Sequence, residues 1–247
     1  MSILLLIVIV TLAYAAQTAA GFGATVLAVT VGSFFMPIPE LVPLLVPLSL
    51  AQTLWVGFRH RKQVDYTYLL SRILPLMGVG MLVGFYSLSE MGGDMLKLAF
   101  ALMILVLSVR ELLAMRGGKH GGAGSAVSEI AALLGAGVVH GIYATGGPLL
   151  VYAASRRPMD KGTFRSTLIV VWLPLNAVLC LQLIIAGRLT ATEAPTVGML
   201  LLTLPLGVWL GERLHNRVDE GNFRRMVFSL LLFAGLAMLV PMAVQIL

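Results

Sequence analysis

Apolar residues run along this chain in blocks, with charged or turn-forming residues between them. Eight blocks result: residues 2–36, 41–58, 67–88, 95–115, 126–155, 163–187, 194–212 and 222–246. A helix that crosses the ~30 Å hydrocarbon core of a bilayer needs about 20 apolar residues, so six of the blocks each predict one crossing. The first and fifth are too long for that. A continuous helix of about 35 residues would span about 50 Å, and glycines interrupt both blocks near the middle. They are Gly21 and Gly23 in the first, and Gly141, Gly146 and Gly147 in the fifth. Two full crossings would need more residues. The lengths predict a re-entrant hairpin, or two half-helices meeting at the glycines. The start, MSILLLIVIV, has no basic stretch ahead of its apolar run and no small-residue cleavage site. It reads as the first membrane segment, not a removed leader.

Composition sharpens this picture. Hydrophobic types make up 59% of the 247 residues and charged types 11%, with a mean hydropathy of +0.96. A soluble domain carries about 25% charged residues, so a water-soluble globule is excluded. Disorder is excluded too, because it needs low hydrophobicity and high charge. The net charge of +6 does not point to nucleic acid, since the basic residues form short clusters between apolar blocks, not a stripe along one face. The expected surroundings are a lipid bilayer. Cys180 is the one cysteine, so no internal disulfide can form.

The basic clusters also give orientation, because Lys and Arg accumulate in cytoplasmic loops. Four loops qualify: Arg59, Arg61 and Lys62; Arg110, Arg116 and Lys119; Arg156, Arg157, Lys161 and Arg165; and Arg213, Arg217, Arg224 and Arg225. The loop with Glu90 and Asp94, and the one with Arg188 and Glu193, are expected outside, as are both termini. The fifth block then begins and ends on the same side, so it is not a single crossing. Charge and length agree on this point.

The chain also repeats itself. A shift of 127 aligns LVPLSL (45–50) with WLPLNA (172–177), placing Pro47 on Pro174 and Ser49 on Asn176. The same shift puts Arg61 on Arg188, and Gly80 and Gly84 on Gly207 and Gly211. Near the glycine breaks a shift of 123 fits better, with Gly23 on Gly146 and Gln17 on His140. The expected organisation is a first membrane repeat (1–116), a glycine-rich linker (117–125) and a second membrane repeat (126–247). Each repeat is a broken glycine-rich segment plus three transmembrane helices. An odd number of crossings per copy predicts an all-α polytopic membrane protein of two inverted repeats. Many secondary transporters are built this way, with the substrate held where broken helices meet. A duplicated membrane scaffold, anchoring a partner protein without transport, is the alternative.

The chemistry concentrates at the breaks. Glycine allows tight turns and close approach of backbone to a ligand, and Pro148 suits the first turn of a helix restarting after Gly147. A helix N-terminus at membrane depth offers free N–H groups and a positive dipole end, which favour anions. The expected substrate-binding residues are therefore Gln17, Thr18, Gly21, Gly23, His140, Gly141, Thr145, Gly146 and Gly147. Ser49, Gln52 and Asn176, which lie close to Pro47 and Pro174, are further candidate liners. They equally suit a role in satisfying the backbone groups that a membrane proline frees. The Gly80–Gly84 and Gly207–Gly211 pairs read as helix-packing faces. No acidic side chain falls mid-block, which argues against a carboxylate proton relay or a metal site. No cofactor is implied. Ser49 and His140 do not make a hydrolase, because nothing marks Ser49 as an elbow nucleophile. There is no HExxH, Walker loop or CxxC motif, so an enzyme is not expected.

With these features the chain resembles the sulfite exporter TauE/SafE family, also called the toluene-sulfonate uptake permease family. The likeness lies in two homologous halves, each opening with a glycine-rich broken segment and followed by a proline-bearing helix. The first copy departs from the usual pattern: it has Gly21-Phe22-Gly23-Ala24 where many members carry a denser glycine run. The resemblance implies export or uptake of small sulfur-containing anions such as sulfite or organosulfonates by secondary transport across the bacterial inner membrane, and export is the direction expected here.

Overall fold

A computed structural model describes residues 3–87, 93–116, 126–155 and 157–217, together with parts of 225–239. The proposed linker at 117–125 and most of the eighth block lie outside the described residues. Every regular element among those described is helical.

Helix α1 (Ile3–Ala20) and the short α2 (Ala24–Gly32) make up the first long block. α3 (Ile38–His60) contains Pro43 and Pro47 and is the most deeply buried of the membrane-length helices. α4 (Tyr66–Tyr68) starts where the Asp65 carboxylate accepts the Tyr68 N–H at 2.9 Å. It runs through a π turn at Leu69–Ile73 into α5 (Leu74–Ser87). α6 (Gly93–Arg116) follows. The second long block gives α7 (Ala126–Tyr143) and the short α8 (Gly147–Ala154). α9 (Lys161–Ile185) carries Pro174 and is capped by Asp160, which accepts from the Gly162 and Thr163 N–H groups. The block at 194–212, expected as one helix, is two: α10 (Ala194–Leu201) and α11 (Leu204–Arg217). At their junction the Thr203 hydroxyl donates to the Leu200 carbonyl at 2.7 Å, giving the backbone an alternative to continuous helix.

Among the described residues, six stretches are long and apolar enough to cross a membrane: Ile38–Gln63, Tyr66–Ser87, Asp94–Met115, Ala126–Tyr143, Gly162–Ile185 and Ala194–Leu214. Ile3–Ala19 is a shorter apolar helix. Large apolar side chains such as Leu4, Phe58, Ile185 and Leu202 lie on the outer surface, where lipid can cover what water could not.

Three helix pairs organise the bundle: α1 with α11, α5 with α7, and α3 with α9. Glycines permit the first two. A Cβ at Gly84 would lie 2.1 Å from the Val138 carbonyl oxygen, and one at Gly137 would lie 2.2 Å from that of Met77. Gly211 meets the Ala15 carbonyl in the same way, at 2.4 Å. Backbones therefore touch directly, as small residues allow in membrane bundles. Under the 127-residue shift α5 corresponds to α11, and under the 123-residue shift α1 corresponds to α7. The two glycine-faced pairs are thus equivalents of one another, and α3–α9 is its own equivalent.

At both breaks the chain turns back on itself. α2 packs along α1, and α8 packs along α7. A Cβ on Gly146 would fall 2.2 Å from the Ala136 carbonyl oxygen, well back along α7. The hairpin expectation for the two long blocks therefore describes both. The position of one break differs from expectation. α7 continues through Gly141 to Tyr143, and the turn falls at Ala144, Thr145 and Gly146. Gly141 instead packs against α5, where its Cβ would come within 2.2 Å of the Met81 carbonyl oxygen.

Candidate functional site

α1 stops because Gly21 and Gly23 adopt φ of 87° and 108°, a region that a Cβ penalises. The Gly21 N–H still closes the last turn on the Gln17 carbonyl at 2.7 Å. The Gln17 side chain then reaches across the turn, where its Oε1 accepts the Ala24 N–H at 3.2 Å. This satisfies one of the N–H groups that α2 leaves open at its start. The other end of the same amide, Nε2, is buried with no hydrogen-bond partner among the described residues. A buried donor left unpaired costs about 1–3 kcal/mol, which an acceptor on a bound ligand would relieve.

The second break uses different means. Ala144 takes φ 53°, a strained value for a residue other than glycine. α8 then begins at Gly147–Pro148, where proline's missing N–H costs nothing. The two breaks meet: a Cβ on Gly147 would approach the Phe22 ring to 3.0 Å.

α9 holds the first break from the side. The Trp172 Nε1–H donates to the Gly21 carbonyl at 3.2 Å. The Arg165 Nε–H donates to the Thr18 carbonyl at 3.1 Å, and its Nη2 donates to the same oxygen. Positions 165 and 172 are two turns apart on one helix face. Both clamp the carbonyl-bearing end of α1, where free C=O groups and the negative dipole end would otherwise go unmatched.

Between the breaks lies a small cavity, with room for about one water. Gln17, Gly23 and Thr25 line it from the first hairpin, and Ala144, Thr145 and Gly147 from the second. Ser49 of α3 and Trp172 of α9 close it. The N-terminal ends of both half-helices, α2 and α8, therefore border one space. That space is rich in hydrogen-bond donors and sits at two positive dipole ends. A second, tighter crevice shares Gln17 and is lined also by Thr18, Gln52, Thr53, Val56 and Ile169; it has no room for a water.

The expected site residues divide accordingly. Gln17, Gly23, Ser49, Thr145 and Gly147 line the main cavity, and Thr18 and Gln52 line the smaller one. Gly21 shapes the turn. Asn176 sits behind Ser49 and donates from Nδ2 to its Oγ at 2.9 Å. Gly146 faces α7. Gly141 is remote from the break, as described above. His140 is fully buried, with neither ring nitrogen hydrogen-bonded among the described residues. Its ring lies 5.4 Å from that of Trp172, and it is not among the residues lining either cavity. Sequence reasoning missed Thr25, Trp172 and the inward role of Arg165. The spacing of Arg165 and Trp172 on one face of a helix is the signal that was there to be read.

Both hairpins and the cavity between them lie within the part of the chain that follows a known pattern: the sulfite exporter TauE/SafE family matches residues 6–238. The chain belongs to this family. It is a family of membrane transporters, and this member is a multi-pass membrane protein. One relative is the "Probable sulfite/organosulfonate exporter TauE" of Cupriavidus necator, 25% identical over 235 residues, covering 91% of this chain and 89% of the relative. Another is the "Probable inner membrane transporter protein TsaS" of Comamonas testosteroni, 28% identical over 176 residues, covering 67% of this chain and 69% of the relative. No solved structure matches the chain.

Proposed function

We propose that this TauE/SafE member is a secondary transporter of small sulfur-containing anions, sulfite or organosulfonates, acting as an exporter in the inner membrane. One observation carries the reading. Gln17, whose Nε2–H has no partner among the described residues, lines a cavity bordered by the N-terminal ends of α2 and α8. Donors without acceptors at two positive helix ends suit an oxyanion, and suit a cation badly. Neutral donors hold an anion without the grip of a fixed cation, so the anion can leave.

The inverted-repeat architecture belongs to the same proposal. Helix pairing supports it, since α1–α11 and α7–α5 exchange places under the repeat. The hydrogen bond from Asn176 to Ser49 supports it too. These two residues are equivalent under the 127-residue shift, and equivalent points touch each other only where a two-fold axis passes between them. We place that axis in the α3–α9 seam, beside the cavity. With the site on the axis and no carboxylate in mid-block, the anion gradient and the membrane potential drive movement. An inside-negative potential favours anion export by about 2.3 kcal/mol per charge for each 100 mV.

Counterflow into proteoliposomes tests the function. Vesicles containing the full chain should exchange labelled sulfite or ethanesulfonate faster than empty vesicles, and an imposed potential should bias net flux. Exchange no faster than in empty vesicles, for every sulfur anion tried, would favour the scaffold reading. Thiol labelling of Thr145→Cys in a Cys180→Ala background separates the two readings further. A transporter exposes that lining position and a scaffold seals it.

A further inference from the structure

Among the described residues that line the cavity between the breaks, Trp172 is the one large ring. The rest are Gln17 and residues no bigger than threonine. The indole comes from one half of the chain alone. Under the 127-residue shift Trp172 falls on Leu45, which is buried but does not line the cavity. The cavity has room for about one water, and a sulfur oxyanion is larger than that. Some wall must therefore give when an anion enters.

The walls differ in how readily they give. The half-helices α2 and α8 hang on turns with positive φ at Gly21, Gly23 and Ala144, irregular backbone that no helical ladder stiffens. The indole has no such freedom. Its Nε1–H donates to the Gly21 carbonyl at 3.2 Å, and its ring packs against that of His140, 5.4 Å away between centroids. Trp172 is 5% exposed and His140 is 0%. The two contacts come from different hairpins, Gly21 from the first and His140 from α7 of the second. Turning the indole aside would strand a buried N–H donor and uncover the imidazole. Neither nitrogen of His140 has a partner among the described residues, so what this side chain supplies is the flat face behind the indole.

We propose that Trp172 is the size-selecting residue of the site, and that His140 is the positioning residue that holds it there. The tethered indole is a fixed wall. The cargo is therefore a compact oxyanion, sulfite or a short alkanesulfonate, and an arylsulfonate is refused. The break ends can part to take the oxygens of the headgroup, but a ring on sulfur needs space that the indole occupies. The proposal rests on the anion reading above and adds to it which of the sulfur anions fit.

The test uses the full chain in detergent and compares sulfonates of one charge and one headgroup: methanesulfonate, ethanesulfonate and benzenesulfonate. Calorimetric titration should show benzenesulfonate binding roughly tenfold or more weakly than methanesulfonate. Trp172→Leu should bring the two within about threefold of each other, and Trp172→Phe should fall between. His140→Ala should narrow the gap with the indole still present, and His140→Phe, which keeps a flat ring behind it, should preserve the gap. The His140 pair carries the test should the Trp172 variants misfold. A merely structural tryptophan or histidine would weaken all three ligands alike. A ratio unchanged in Trp172→Leu and in His140→Ala therefore overturns the proposal, as does a parent that binds benzenesulfonate as well as methanesulfonate. An uncharged readout separates the wall from the anion reading. With Cys180→Ala and Thr145→Cys, N-phenylmaleimide should label more slowly than N-methylmaleimide, each scaled to its rate with glutathione, and Trp172→Leu should close that gap. If no sulfonate binds while the maleimide gap closes, the wall stands and the anionic cargo fails. If sulfonates bind and neither ratio moves, the wall fails and the anion reading stands.

Discussion

Gln17 does two separable jobs with the two ends of one amide, and two substitutions pull them apart. Gln17→Leu removes both. Losing the Oε1 acceptor for Ala24 N–H exposes an unsatisfied helix-start donor, at a cost of about 0.5–2 kcal/mol in stability. Losing the Nε2–H donor removes a hydrogen bond to a charged ligand, about 1.5–3 kcal/mol, or roughly 10- to 150-fold in affinity. Gln17→Glu keeps the acceptor, so the hairpin should hold. Its second oxygen, however, puts a carboxylate against the bound anion. Two like charges about 4 Å apart repel by about 4 kcal/mol at an effective dielectric constant of 20. Binding should therefore fall further in the Glu variant than in the Leu variant, while thermal stability falls less. Ethanesulfonate is the right probe, because its charge does not change over the useful pH range. Lowering the pH protonates the new carboxyl, turns it back into a donor and should restore binding in the Glu variant alone. Calorimetric titration and thermal unfolding of monodisperse protein measure both quantities. A Glu variant that binds ethanesulfonate within about threefold of the parent near neutral pH would refute the assignment of Nε2 to the anion.

Three further outcomes follow from the same geometry. Gly84→Ala forces a methyl to within 2.1 Å of the Val138 carbonyl oxygen and should destabilise by about 1–3 kcal/mol. Gly78→Ala, with nothing within 4 Å, should be neutral or gain up to ~1 kcal/mol, and thermal unfolding in detergent compares the two. Tags at Ala126 and at Met159 should report the same side of the membrane, and opposite sides would end the hairpin reading of the second block. The fully exposed Asp160 carboxylate is held below its usual range, first by the Thr163 hydroxyl and then by backbone N–H groups. Its cap is therefore intact above the ordinary carboxylate range and is lost as pH falls through the lowered value. The stability gap between parent and Asp160→Ala should be constant near neutral pH and close on acidification.

Much of the architecture was legible because membrane helices obey a length rule. Too long for one crossing and carrying glycine in the middle, the blocks at 2–36 and 126–155 had to fold back. Finer placement was not legible. Gly137 and Gly141 recur at helical spacing, which serves close packing as well as turning, and only the neighbouring α5 backbone decides between them. Ala144, not a glycine, takes the left-handed turn, a tertiary override of local preference. Trp172 looked like one more apolar residue in an apolar run, because its indole N–H matters only once Gly21 lies beside it. Arg165 was counted as a loop charge that orients the chain, while its side chain turns inward to α1. Gln17 and His140 correspond in sequence, yet only Gln17 reaches a cavity. Gln17 lines a cavity between the breaks, whereas His140 packs its ring against Trp172.

The pairing of α1 with α11 and of α5 with α7 bears on how the chain assembles during synthesis. α1 enters the membrane well before the glycine face that fits it, Gly207 and Gly211, has been translated. Arg165 and Trp172, which clamp its broken end, also come from the later half. The first hairpin therefore waits in the bilayer with polar groups uncovered for most of translation. The two sequence halves are interlocked in space, and each hairpin takes its glycine-faced partner helix from the other half. Expressed alone, residues 1–116 should be short-lived and prone to degradation. Co-expression with 126–247 as a separate chain should rescue them, since assembly needs the later helices but not the peptide link.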